Sequence, residues 1–225
     1  MGLSGAAVRR ALKRAGSGMA VCLLAAACGA AEEPEPERVT AERQCDDTLS
    51  PDAARALERV LETKRFEHDP RGGLERGANE LVRDYKTARG LTLNPPVCRA
   101  NPPTGAERVD LRFGLYVDDD LFGDVHPRGL HPYDMGVEAQ SGPKKAYLFV
   151  RCVSPRFEGS DKRPARIRGT LVFNDSELPD TVPVREANLT ILHSVTLAMA
   201  RKLGCEDDAG LDEKPVFKPR PEEGA

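Results

Sequence analysis

A chain of 225 residues is enough for one ordinary domain with tails, and 40% hydrophobic against 31% charged residues is a normal globular balance. No apolar run reaches about 18 residues, so no permanent membrane helix is expected. The formal charge is −3; without the four basic residues of the first 27 (Arg9, Arg10, Lys13, Arg14), 29 basic groups face 36 acidic ones, a balance of −7 with no basic block, which argues against nucleic acid as a partner.

The N-terminus reads as an export signal. A basic stretch, Arg9 to Arg14, precedes an uncharged segment, Ala15 to Ala27, that is too short to span a bilayer but fits a signal core. It ends in Leu24-Ala25-Ala26-Ala27-Cys28, which resembles the lipobox of bacterial lipoproteins, with Leu24 one step earlier than the usual leucine. That resemblance implies cleavage after residue 27, lipidation of the Cys28 thiol and attachment to the membrane through the lipid anchor. Arg9-Arg10-Ala11-Leu12 also resembles a twin-arginine signal, so either export route stays open. Residues 28–44 follow as an acidic, Pro-rich stretch without apolar periodicity, expected to be a disordered tether.

Four cysteines lie beyond Cys28 and suit two disulfides, for which three connectivities exist. Cys45–Cys98 and Cys152–Cys205 are favoured, because Cys205 follows a helix expected to pack on the strand that holds Cys152. A zinc site is the alternative, though the four are scattered without a Cys-x-x-Cys pair.

The expected folded domain covers 45–206, with 207–225 a mobile tail. Ser50-Pro51-Asp52 opens a helix running to about Arg65, with Leu57, Val60 and Leu61 on its apolar stripe. A second helix is expected over 74–88. Asn94 to Pro103 reads as turn-rich and extended. Glu107 to Val117 alternates as a half-buried strand, Lys145 to Val153 is apolar on both faces, and Ala165 to Phe173 alternates again. A short strand is possible between Asp134 and Gln140. The last helix runs from about Val184 to Leu203 and stops at Gly204. This order predicts an α+β domain: an antiparallel sheet of three to four strands with about three helices packed mainly on one face.

Cys45-Asp46-Asp47-Thr48-Leu49-Ser50 leading into Lys64-Arg65-Phe66, and Arg185-Glu186-Ala187-Asn188-Leu189 leading into Leu203-Gly204-Cys205, resemble segments of uncharacterised actinobacterial secreted lipoproteins. The likeness implies only the lipid acceptor Cys28.

Candidate chemistry is sparse. Asp118, Asp120, Asp124 and His126, continuing to His131 and Asp134, alternate oxygen and imidazole ligands and are weak metal candidates; a solvated acidic turn is the plainer account. Ser141-Gly142-Pro143-Lys144 matches Ser-x-x-Lys formally, but Gly-Pro denies it the helical turn that chemistry needs. His193, inside the last helix, reads as a core histidine before a general base. No catalytic residue and no cofactor are assigned. The expected role is a non-enzymatic binding domain for an envelope protein, a cell-wall component or a small ligand; the alternative is an extracytoplasmic metal-dependent hydrolase using the Asp118–His131 loop.

Overall fold

A computed structural model describes residues 37–69, 73–87, 94–105, 107–123, 127–175 and 177–220. Cys28, the segment 1–36, Asp124 and His126 lie outside the described residues.

The elements are β1 (Arg38–Val39), α1 (Pro51–Val60), β2 (Phe66–Glu67), α2 (Leu74–Lys86), β3 (Cys98–Ala100), β4 (Arg108–Leu115), β5 (His131–Tyr133), β6 (Glu138–Ser141), β7 (Lys145–Cys152), β8 (Ala165–Asn174) and α3 (Val182–Leu203). The architecture is α+β, but the described sheet has six antiparallel strands, ordered β3-β4-β8-β7-β6-β5, with β1 and β2 forming a separate two-stranded ribbon. The expected three to four strands were too few because β3 and β5 have only three residues each, too short for a period-2 pattern to register.

Alternation decides the two faces of the sheet. On β4 and β8, Val109, Leu111, Phe113, Ile167, Leu171 and Phe173 point inward; α3 packs over β7 and β8, and α2 over β4. Gly169 sits at the closest approach: a Cβ there would lie 2.9 Å from Thr196 Oγ1 and 3.1 Å from Leu192 Cδ1. α3 is apolar almost all round because α1 and α2 pack on its remaining sides. It stops at Gly204, whose φ of 68° provides the left-handed cap.

α1 begins as its sequence dictates. Ser50 Oγ accepts from the Ala53 N–H, Pro51 takes the first helical position, and the Ser50 N–H donates to Ser194 Oγ of α3 at 2.8 Å. The helix ends five residues earlier than Arg65, because Glu62 adopts a left-handed conformation (φ 48°) that turns Phe66 into the β1–β2 ribbon. α2 starts at Gly73, which has no capping side chain; Asp46 Oδ2 supplies the cap from a distance, accepting the Leu74 N–H at 2.7 Å.

Both favoured disulfides are present. Cys45–Cys98 ties the segment before α1 to β3, and Cys152–Cys205 ties the end of β7 to the residue after the α3 cap, with Cα separations of 4.9 and 5.0 Å. The folded body begins earlier than residue 45: Val39, Ala41 and Gln44, at the end of the expected tether, are buried. Residues 207–220 of the expected mobile tail are likewise engaged. Leu211 is buried, Phe217 packs edge-on against Tyr133, and Lys218 and Arg220 exchange backbone hydrogen bonds with Asp134 and Pro132 along β5. The Pro-rich sequence conceals this pairing because it occupies a sheet edge, where proline is tolerated.

Each disulfide closes a span of 53 residues, for which chain entropy gives about 4 kcal/mol. Replacing Cys152 and Cys205 together by alanine is therefore expected to lower the unfolding free energy by about 4 kcal/mol in denaturant titrations. A second site is steric: a Cβ on Gly142 would lie 1.8 Å from the Gly129 carbonyl oxygen, so Gly142→Ala is expected to cost about 3 kcal/mol by forcing the β6–β7 turn away from Gly129.

Candidate functional site

The helices cover one face of the sheet; the other is built from the outward residues of β4, β8, β7 and β6. Register places them in rows: Gly114, Arg168, Phe149 and Glu138 in one, Arg112, Thr170, Tyr147 and Gln140 in the next. The segment after β4 folds back over part of this face, where Phe122 packs against Tyr147 and Phe149 with centroids 5.4 and 6.0 Å apart. The Phe122 and Gly123 N–H groups donate to the Glu138 carboxylate, each at 3.2 Å.

Two concavities open on this side. One, of about 410 Å³, lies over the strand centres and is bordered by Asp110, Lys145, Arg168, Thr170 and Asn174. Asp110, only 2% exposed, receives Arg112 at 3.0 Å and also faces Arg99 and Arg108 at 3.4 and 3.6 Å. The Arg168 Nε and Asn174 Nδ2 donors are buried there without a hydrogen-bond partner.

The larger cleft, about 1060 Å³, lies at the end of the sheet. Its apolar wall comes from Tyr85, Leu115, Val117 and Pro164; its cations are Lys86, Arg151, Lys162, Arg163 and Arg166; Glu158 is the one acid in its wall. Val117 is one of three large hydrophobic residues that are exposed among those described. Arg166 pairs with Asp118 at 2.7 Å. The other four cations have no ion-pair partner among the described residues.

Tyr116 is 2% exposed, and its buried hydroxyl, which the Arg151 side chain faces, makes no well-formed hydrogen bond among the described residues. Burial raises its pKa; the charge and hydrogen-bonding reach of Arg151 and the charge of Arg166 pull the other way and do not prevail, so the phenol stays protonated.

Within the described part of the acidic segment, the carboxylates serve separate contacts. Asp118 is held by Arg166, and Asp120 Oδ2 accepts the Val117 N–H at 2.8 Å, closing the short 3-10 turn Asp118–Asp120. His131 faces Asp180 at 3.1 Å. Among the described residues no three His, Cys, Asp or Glu side chains are grouped to hold a metal. Ser141 is buried and donates to the Arg185 carbonyl, while Lys144 is exposed in the following turn.

Sequence reasoning missed the basic cleft entirely. Its charges come from α2, β7, β8 and the loop between those strands, so no window of the sequence contains them as a block. The chain matches no protein-family model, no curated protein and no solved structure.

His193 is 2% exposed in α3. Burial lowers its pKa below the ordinary 6.5, although Asp212 and Glu213 nearby favour the cation. The unfolded chain then takes up the proton first, so stability falls as pH drops below about 6.5, until the folded pKa is also passed. The melting temperature is expected to fall between pH 7 and pH 5. His193→Gln should flatten that slope relative to the wild-type chain.

Proposed function

We propose that this chain is an exported lipoprotein, cleaved before Cys28, lipidated on that thiol and held at the extracytoplasmic face of the membrane, where its domain acts by binding rather than catalysis. The reading of the first 28 residues carries the location, and the resemblance to actinobacterial secreted lipoproteins agrees with it. The structural observation that supports it best is the pairing of all four cysteines beyond Cys28 into two disulfides, a state favoured outside a reducing compartment. No helix among the described residues is long and apolar enough to cross a membrane.

The binding role rests on where polar groups are committed. Ser141, His131, Asp118 and Asp120 each serve a local structural contact, whereas Lys86, Arg151, Lys162 and Arg163 of the end cleft make no ion pair among the described residues. The partner is an envelope protein, a cell-wall component or a small ligand.

Metabolic labelling with a palmitate analogue tests the anchor. Wild-type chain should label and stay with the membrane fraction, and Cys28→Ala should lose the label and appear in the medium. Unlabelled wild-type protein, or a Cys28→Ala chain that still labels, would sink the proposal. In the same preparations, a non-reducing digest should yield two linked peptide pairs.

A further inference from the structure

The register of the sheet sets two arginines face to face. Arg151 of β7 pairs directly with Arg166 of β8, and residues so opposed carry Cβ atoms about 4.5–5.5 Å apart, where like charges repel. Among the described residues Arg166 has a carboxylate partner, Asp118, and Arg151 has none. The Tyr116 N–H donates to the Arg166 carbonyl at 3.0 Å, and the buried Tyr116 hydroxyl faces the Arg151 side chain. The adjoining loop adds Lys162 and Arg163, while Val117, 41% exposed, offers an apolar surface in the same cleft.

Two of these features cost stability in the empty protein: like charges on directly opposed strand positions and an apolar side chain in solvent. One ligand answers both. A tetrahedral oxyanion bridges paired guanidinium groups, and an apolar body covers the valine. The cleft, at about 1060 Å³, is far larger than a bare phosphate and matches the upper range of organic-ligand sites.

We propose that this cleft is a binding site for an organic phosphate, its phosphoryl group held by Arg151 and Arg166 and its apolar part lying against Val117. Lys162 and Arg163 raise the local positive potential and steer the anion inward. The phosphoryl group belongs either to a soluble organic phosphate or to a lipid headgroup, and the site stands whether or not Cys28 carries lipid.

Binding to the full-length chain is measured with 1-naphthyl phosphate, inorganic phosphate, uncharged 1-naphthol, and vesicles of phosphatidylglycerol or of phosphatidylcholine alone. Saturable binding of 1-naphthyl phosphate that is stronger than that of inorganic phosphate or naphthol assigns the site to a soluble organic phosphate. Binding confined to phosphatidylglycerol vesicles assigns it to a headgroup. In either case Arg151→Gln should weaken binding about tenfold, the loss of one charge-assisted contact. Without ligand, Arg151→Gln should melt at a higher temperature than wild type, because the opposed charge is gone. Failure of both probes, unchanged binding by Arg151→Gln, or a response only to a single-stranded oligonucleotide would overturn the assignment.

Discussion

The burial of α3 is the constraint from which the rest follows. A 22-residue helix that is apolar nearly all round cannot lie at a surface; it must be covered by the sheet below and by α1 and α2 around it. Gly169 lets it approach the sheet, Ser194 pins the start of α1 to it by accepting the Ser50 N–H and donating to the Thr48 carbonyl, and Cys152–Cys205 fixes its C-terminal end to β7. With one face of the sheet committed to that helix, the alternating residues of β4, β7 and β8 have a single remaining direction for charge.

That division explains how an acidic chain carries a basic cleft. Net charge averages over the whole surface, whereas binding depends on what the fold brings within a few ångströms. Arg151 and Arg166 are fifteen positions apart along the chain and directly opposed in the sheet. Their neighbours contribute acid chiefly elsewhere: Asp110 is enclosed by Arg99, Arg108 and Arg112, and Glu138 is spent on the backbone of Phe122 and Gly123. Acid is thus consumed in structural contacts along the sheet, and cations are left over at its end.

Much of the scaffold was legible in the sequence, for identifiable reasons. Ser50-Pro51 marked the start of α1, Gly204 the end of α3, and the alternation from Val109 to Leu115 a half-buried strand. The cysteine pairing followed from placing Cys205 after a helix that packs on the strand of Cys152. What escaped is non-local. The β1–β2 ribbon has two residues per strand, the cap of α2 comes from Asp46 twenty-eight positions away, and residues 218–220 join β5 through backbone groups that leave no side-chain signature. The cleft was missed for the same reason, since a cross-strand neighbour is visible only once the register is known. The acidic run Asp118–Asp120, conspicuous in the sequence, closes a turn and holds one arginine.

The order of the disulfides has a consequence for how the protein matures. Cys45 joins Cys98 and Cys152 joins Cys205, so the two loops follow one another without interlocking. In any process that delivers the chain N-terminus first, each thiol meets its proper mate as the next cysteine to arrive. The first bridge can close before the residues of the second have emerged. Correct oxidation then needs no reshuffling through mixed disulfides, and a simple oxidant suffices where interlaced pairings would call for an isomerase.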